Sequence, residues 1–457
     1  MTRLLRRNAS RDMTSGGIAR QLLAFAAPLM IGNVFQLLYS TVDSVIVGQF
    51  VSKAALAAVG STTQIVNMMV FFFNGFSVGA GVLIARLFGA KDKGLHRAVE
   101  TTMTATVFAS ALFTVAGVEL VGPMLRMMDT PPTVMRDATI YLTIYFAGLT
   151  GLLVYNMGSG ILRAVGDTVH PLIYLVITSL CNIVLDLLFV VGFGMKIEGV
   201  AWATVISQFL SAALVLRALM RADGPWRFTA GEMCLDGKVL WQVARIGFPT
   251  AVQSVITSFS NIFEQRYIND FGDSCMAGWA GYNKVDAFIM LPMQSMAMAA
   301  TTFVSQNLGA GHEDRARRGT RDSILISFGV TGAIAAVLVI FAEAAIRLFS
   351  KDAEVVAFGT LFLRWNTGFL LFNCVNHVLA GALRGRGDSR GPMVIMLLSF
   401  VAVRQVYLFL ISRAVPGNVT LVGLGYPVGW ACCMVLELLY YRRRMALDAL
   451  RQTQDAA

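Results

Sequence analysis

Apolar stretches of about twenty or more residues recur from one end of this 457-residue chain to the other, each long enough to cross the hydrocarbon core of a bilayer. A helix pairs its own backbone N–H and C=O groups, so lipid accepts it where an open strand or loop would leave polar groups bare. The pattern therefore dictates an all-α integral membrane fold with about twelve transmembrane helices. Spans are expected at 22–50, 55–85, 97–121, 134–162, 171–194, 199–219, 242–270, 275–305, 322–349, 354–383, 391–412 and 421–441. Several exceed the roughly twenty residues that crossing needs, so tilted or kinked helices projecting past the bilayer are expected. Composition agrees: 56% of residues are hydrophobic and 14% charged, where soluble domains carry roughly 25% charged residues.

The longest polar interval, Arg217 to Arg245, is too short and too poor in apolar residues to build its own core, and it reads as a linker. The N-terminus, Met1 to Arg20, is basic and leads into a full-length span without a short apolar region and cleavage site, so the first helix is expected to be the insertion signal. Cys181, Cys234, Cys275, Cys374, Cys432 and Cys433 have neither metal-ligand spacing nor an extracellular framework pattern, and a structural role is expected for them.

The net charge of +10 would suit a nucleic-acid partner, but its placement decides otherwise. Lys and Arg concentrate in the tails and in alternate loops: Arg3, Arg6, Arg7, Arg86, Lys91, Lys93, Arg97, Arg315, Arg317, Arg318, Arg384, Arg386, Arg442, Arg443 and Arg444 fall on one side. By the positive-inside rule that side is cytoplasmic. Both termini are then expected inside, and the charge requires no nucleic acid.

Sliding the chain against itself reveals an internal repeat. Leu162-Arg163-Ala164-Val165-Gly166-Asp167, ending at Pro171, matches Leu383-Arg384-Gly385-Arg386-Gly387-Asp388, ending at Pro392, at an offset of 221. The same offset carries Pro28 onto Pro249, Gly60 onto Gly281 and Asp43 onto Glu264, while Gly89-Ala90 meets Gly309-Ala310 at 220. Two pseudo-symmetric six-helix lobes follow, residues 1–220 and 242–457, joined by a cytoplasmic linker at 221–241. Six spans per half make the repeat parallel, an arrangement that transporters use to hold substrate between lobes.

Carboxylates inside spans are costly, by about 2.5 to 3.5 kcal/mol on insertion scales, and so mark ion paths. Asp43 lies late in the first helix after Pro28, whose missing N–H is expected to bend that helix. Asn182 and Asp186, spaced i, i+4, share a face of the fifth span, and Thr204 follows on the sixth. Two carboxylates, an amide oxygen and a hydroxyl suit a hard cation such as Na⁺, and close carboxylates sharing a proton suit H⁺ equally. Hydrogen bonding between helices is the alternative reading of these residues.

Together these features resemble the multidrug and toxic compound extrusion (MATE) family over essentially the whole chain. The likeness rests on Pro28 with Val42-Asp43-Ser44-Val45-Ile46-Val47-Gly48, on Gln306-Asn307-Leu308-Gly309-Ala310-Gly311, on Leu-Arg-x-x-Gly-Asp in both halves, and on Asn182 with Asp186. The resemblance implies a V-shaped pair of six-helix lobes around a central cavity, working as an Na⁺- or H⁺-driven antiporter of cationic or amphipathic drugs. It also implies a cation site of Asp43, Asn182, Asp186 and Thr204, with Tyr141 nearby. A bacterial inner-membrane location, a monomeric state and contact with membrane lipids are expected, with no enzyme activity and no cofactor beyond the coupling ion.

The second half is less regular. Glu264 matches a seventh-helix carboxylate of some family members, but the inner tenth span carries Asn373, Asn376 and His377 in place of an acid. Glu264 either contacts a cationic substrate or pairs with Arg266 or Lys284. His377 either titrates or serves structure. Arg364 and Arg404 are read as reaching toward an interface. Met290, Met293, Met296 and Met298, with Phe71, Phe72, Phe73 and Phe76, offer either an adaptable substrate surface or packing. Gly166-Asp167 and Gly387-Asp388 read as loop geometry, and the short Gly-rich loops lack the Lys-Ser/Thr of a phosphate site. The competing function is flipping a lipid-linked precursor, for which several cavity-facing cations would be wanted and only Arg266, Lys284, Arg364 and Arg404 are available.

Overall fold

A computed structural model describes residues 11–128 and 130–455, so Arg3, Arg6 and Arg7 lie outside the described residues. Among the described residues every regular element is helical. The first half contains α1 (Ile18–Ile46), α2 (Lys53–Gly89), α3 (Gly94–Met127), α4 (Pro132–Ala147), α5 (Leu149–Ala164), α6 (Val169–Asp186) and α7 (Ile197–Met220). The second contains α8 (Gly237–Asn269), α9 (Asp273–Gly309), α10 (Glu313–Ile340), α11 (Ala342–Arg347), α12 (Ala353–Thr367), α13 (Leu370–Gly385), α14 (Arg390–Leu397), α15 (Arg404–Ala414), α16 (Val419–Gly423) and α17 (Gly425–Asp455). Three π-helical segments extend this set: Val47–Val51 after α1, Leu187–Gly192 after α6, and Leu398–Val403 between α14 and α15.

Nine spans among the described residues are long and apolar enough to cross a membrane, and two bent helix pairs raise this to eleven. The twelfth expected span is α8. Its 33 residues are ample in length, but Lys238, Arg245, Glu264, Arg266 and a run of Gln, Ser, Thr and Asn make it too polar to stand out by hydropathy. The bent pairs are α4 with α5, at 50°, and α12 with α13, at 55°. Glycine lies at each break, Gly148 in one and Gly368 in the other, where the helix ladder is interrupted. Pro132 and Leu149 map onto Ala353 and Leu370 at the 221-residue offset, so the repeat extends to the break itself.

The described residues form two compact units: Ala27–Ala251 with Arg11 and Asp12, and Met13–Ala26 with residues 252–455. The division falls inside α1 and α8, beside Pro28 and Pro249. Both helices run on unbroken through their prolines, so Pro28 sits within one continuous α-helix. The start of α1 accordingly belongs with the second half and the start of α8 with the first.

In the first unit the beginning of α8 meets α2 backbone to backbone. A Cβ on Gly75 would lie 2.5 Å from the Ala251 nitrogen, and one on Gly79 would lie 2.7 Å from that of Gly247. Small residues permit this approach, as they do between membrane helices generally. The linker is also tied down: the Glu100 carboxylate accepts the Thr229 N–H at 2.6 Å, and Arg97 pairs with Asp236 at 2.8 Å. In the second unit the Gln306-Asn307 pair holds the N-terminal segment, with Gln306 Oε1 accepting the Met13 N–H at 2.9 Å and Asn307 Nδ2 donating to the Met13 carbonyl at 3.2 Å. That motif is thus an anchor for chain entering the first helix.

The Gly-Asp loops are built as turns. Gly166 and Gly387 adopt φ of 88° and 84°, a region open to glycine. Asp167 Oδ1 accepts the Val169 and His170 N–H groups, at 3.2 and 3.1 Å, and Asp388 Oδ1 accepts that of Gly391 at 3.1 Å. Each carboxylate satisfies donors of the first turn of the next helix.

Candidate functional site

In the first unit four elements bring their polar residues together. Tyr39 and Asp43 lie one turn apart on α1; Tyr141 and Tyr145 on α4; Asn182 and Asp186 on α6; Thr204 and Gln208 on α7. The i, i+4 spacing places each pair on one helix face. Asp43 and Asp186 face one another within hydrogen-bonding range. The amide of Asn182 donates to Asp186 Oδ2 at 3.2 Å and accepts the Thr204 backbone N–H at 3.2 Å, with its nitrogen turned toward the carboxylate. The Thr204 hydroxyl donates to the Val200 carbonyl at 3.0 Å and lies within reach of the Tyr39 hydroxyl. Tyr141 and Tyr145 stack at 6.2 Å, and Tyr145 reaches Gln208.

Asn182 is 1% exposed and Asp186 fully buried. The Oδ1 atoms of both Asp43 and Asp186 are buried without a protein donor. Two carboxylates about 4 Å apart repel by roughly 4 kcal/mol at an effective dielectric of about 20 when both are ionised. The arrangement can be neutralised in two ways, by a shared proton or by a small cation bound between oxygens. A π-helical segment begins four residues after Asp43 and another immediately after Asp186. Such bulges redirect the side chains flanking them and recur at functional sites.

The structure therefore gathers Asp43, Asn182, Asp186, Thr204 and Tyr141, and adds Tyr39, Tyr145 and Gln208. The signal for these additions was present as i, i+4 partners of residues already singled out.

In the second unit Glu264 is fully buried and pairs with Arg404, its Oε2 lying 3.2 Å from Nη1. Neither expected partner takes this place: Arg266 is exposed, and Lys284 lies over the Phe349 ring at 5.5 Å. Arg404 is only 2% exposed, so it does not reach toward an interface as its sequence position implied. The π-helical segment Leu398–Val403 immediately precedes it. Arg364, in contrast, is exposed.

Several of the remaining candidates of the second half are tied to neighbouring helices. Asn373 donates to the Met290 sulfur at 3.4 Å and Asn376 to the Trp430 carbonyl at 3.1 Å, tying α13 to α9 and α17. Met293 is fully buried in the hydrophobic core, beside Trp279 and Phe362, so it offers no open surface; Met296 is buried too. His377 is half-buried one residue beyond Asn376. Phe73 packs edge-on against Phe113 at 4.8 Å in the first unit, while Phe71 remains exposed.

Up to eleven spans among the described residues, the long polar helix α8 beside them, an internal repeat and a polar cluster buried within the spans define a membrane transporter of duplicated helical bundles. The sequence model of the MatE family matches residues 28–188 and again 249–410, two copies whose starts differ by the 221 residues of the repeat, and the chain belongs to that family. It is 28% identical over 436 residues to the probable multidrug resistance protein YpnP of Bacillus subtilis, covering 94% of this chain and 96% of that one. It is 21% identical to the multidrug export protein MepA of Staphylococcus saprophyticus, over 94% and 96% of the two chains. Among solved structures, a MATE in the straight conformation superimposes with a TM-score of 0.90 at 21% identity, covering 96% of this chain and 98% of the other. A transporter of the MOP superfamily from Pyrococcus furiosus gives 0.89 at 21%, over 95% and 97%.

Proposed function

We propose that this protein is a cation-coupled antiporter that exports cationic or amphipathic compounds across a bacterial plasma membrane. Relatives described as multidrug resistance and multidrug export proteins over nearly the full chain support the efflux reading. The observation that carries the coupling is the contact of Asp43 with Asp186, each with one buried oxygen lacking a protein donor. Such a pair takes up a proton or a cation, and releases it when a second conformation pulls α1 from α6.

The donor set fits Na⁺ by its chemistry, since the oxygens of Asp43, Asp186 and Thr204 are hard ligands, and it fits H⁺ through the shared carboxylates. Tyr39 and Tyr141 wall the site. The Asn182 amide, bridging α6 to α7, orients Asp186 for either ion. Lys and Arg placement supports cytoplasmic termini.

The flippase reading has less support, since Arg404 is paired with Glu264 and Lys284 lies over the Phe349 ring, which leaves Arg266 and Arg364 as its cations. Membrane vesicles carrying the chain, loaded with a fluorescent cationic dye, test the proposal under separately imposed Na⁺ and H⁺ gradients. One gradient should drive export, and Asp43→Asn or Asp186→Asn should abolish it while folded protein remains in the membrane. Wild-type export by both variants would exclude the coupling role.

A further inference from the structure

At the 221-residue offset Asp43 corresponds to Glu264, Asp186 to Tyr407, Asn182 to Val403 and Thr204 to Gly425. Both halves thus bury an acid at one equivalent place, but they surround it differently. Asp43 meets a second carboxylate, whereas Glu264 meets the guanidinium of Arg404, the residue after the Asn182 counterpart. At the Thr204 counterpart the side chain is missing, and a Cβ on Gly425 would lie 3.0 Å from Glu264 Oε1.

The guanidinium is held on every side within its unit. Its Nε donates to the Phe400 carbonyl at 3.0 Å; one terminal nitrogen donates to Asn261 Oδ1 at 3.0 Å and to Ser260 Oγ at 2.5 Å; its carbon lies 5.0 Å over the Tyr426 ring. A carboxylate, two side-chain oxygens, a carbonyl and an aromatic face form the surroundings a small cation would need. We infer that the second unit retains a monovalent-cation site whose occupant is the chain's own Arg404, tethered and unable to exchange. Glu264 is therefore neutralised permanently, and only the first unit exchanges an ion. This rests on the first unit being the exchanging site, and the experiment below separates the two statements.

The other charged and titratable groups near Glu264 are Tyr282 and Asp286 on α9, Tyr407 on α15 and Tyr426 on α17. Asp286 has one buried oxygen without a protein donor, and Tyr282 and Tyr426 each lie near both Asp286 and Glu264. Another acid thus remains in this unit, and Arg404 is the basic residue paired with Glu264.

The test uses the purified full-length protein carrying Asp43→Asn and Asp186→Asn, with thermal unfolding read in NaCl against choline chloride from pH 5 to 8, and ²²Na⁺ binding alongside. Adding Arg404→Gln should create a saturable rise in Tm of about 2–4 °C, in Na⁺ or on acidification, that the background lacks. Glu264→Gln on top should abolish the gain, and Arg404→Lys should never show it. Guanidinium chloride at millimolar concentration should likewise stabilise an Arg404→Ala chain only while Glu264 is present. A folded Arg404→Gln chain without a new ion response, or one whose response survives Glu264→Gln, overturns the inference. If Arg404→Gln does not fold, the double variant with Glu264→Gln must recover folded protein, and failure to recover it overturns the ion pair itself. An Na⁺ or proton response already present in the background would instead count against the first-unit site, leaving the Glu264-dependent increment to decide the second.

Discussion

Asn182 illustrates how one amide organises the proposed coupling site. It spends its nitrogen on Asp186 and its oxygen on the Thr204 N–H, so it fixes the carboxylate and joins two helices at once. Replacing it with Leu should weaken ion binding about 10–100-fold, the range seen when groups supporting a ligand are lost, and should be read as a shift in the ion concentration that half-saturates transport. Glu264 and Arg404 make a different prediction. Removing one partner of a buried pair strands a charge, so Arg404→Met should cost about 3–5 kcal/mol of stability, while Arg404→Met with Glu264→Gln should recover most of it. Chemical denaturation in detergent measures both. Asp43 and Asp186 were legible in the sequence because charge inside an apolar span is costly, and Asn182 because it lies one turn from Asp186. Arg404 was not, because a lone Arg in a span reads alike whether it reaches for a headgroup or folds inward.

At the scale of elements, close helix contact depends on residues without side chains. On α13 a Cβ at Gly385 would stand 2.6 Å from the Thr301 carbonyl of α9, and the Ser305 hydroxyl donates to the Gly385 carbonyl at 3.1 Å. Gly385→Ala should therefore cost about 1–3 kcal/mol by overpacking, visible as a lower Tm. The linker makes a second prediction. Asp236 accepts the Lys238 N–H at 2.8 Å and pairs with Arg97, and these hold its carboxyl below the usual range. A lowered value means the interaction is complete above the ordinary aspartate range, about 4, and is lost as pH falls through the lowered one. Asp236→Asn, or acidification below pH 4, should raise deuterium uptake across 221–236 while leaving α2 protected. The broken spans α4–α5 and α12–α13 were expected only as kinks in long spans, since a glycine inside an apolar run does not announce whether the ladder bends or breaks.

For the whole molecule, the charge asymmetry predicts sidedness. A fluorescent-protein fusion at the C-terminus should mature in the cytoplasm, and an alkaline phosphatase fusion there should stay inactive. The duplication, the helical class and the spans were set by the sequence itself, because lipid demands backbone satisfaction within each segment and leaves an apolar run no other conformation. Glu264 was visible there as the counterpart of Asp43, and so was the absence of a second Asp186. What occupies the place beside Glu264 was decided by tertiary structure. Partner choice in a bundle depends on helix rotation and on the π-helical turn before Arg404, which change which face looks inward without changing the apolar pattern. The same is true of the unit boundaries, which fall beside Pro28 and Pro249 within unbroken helices. Hydropathy marks where a helix crosses; packing against neighbours decides which bundle each part of it joins.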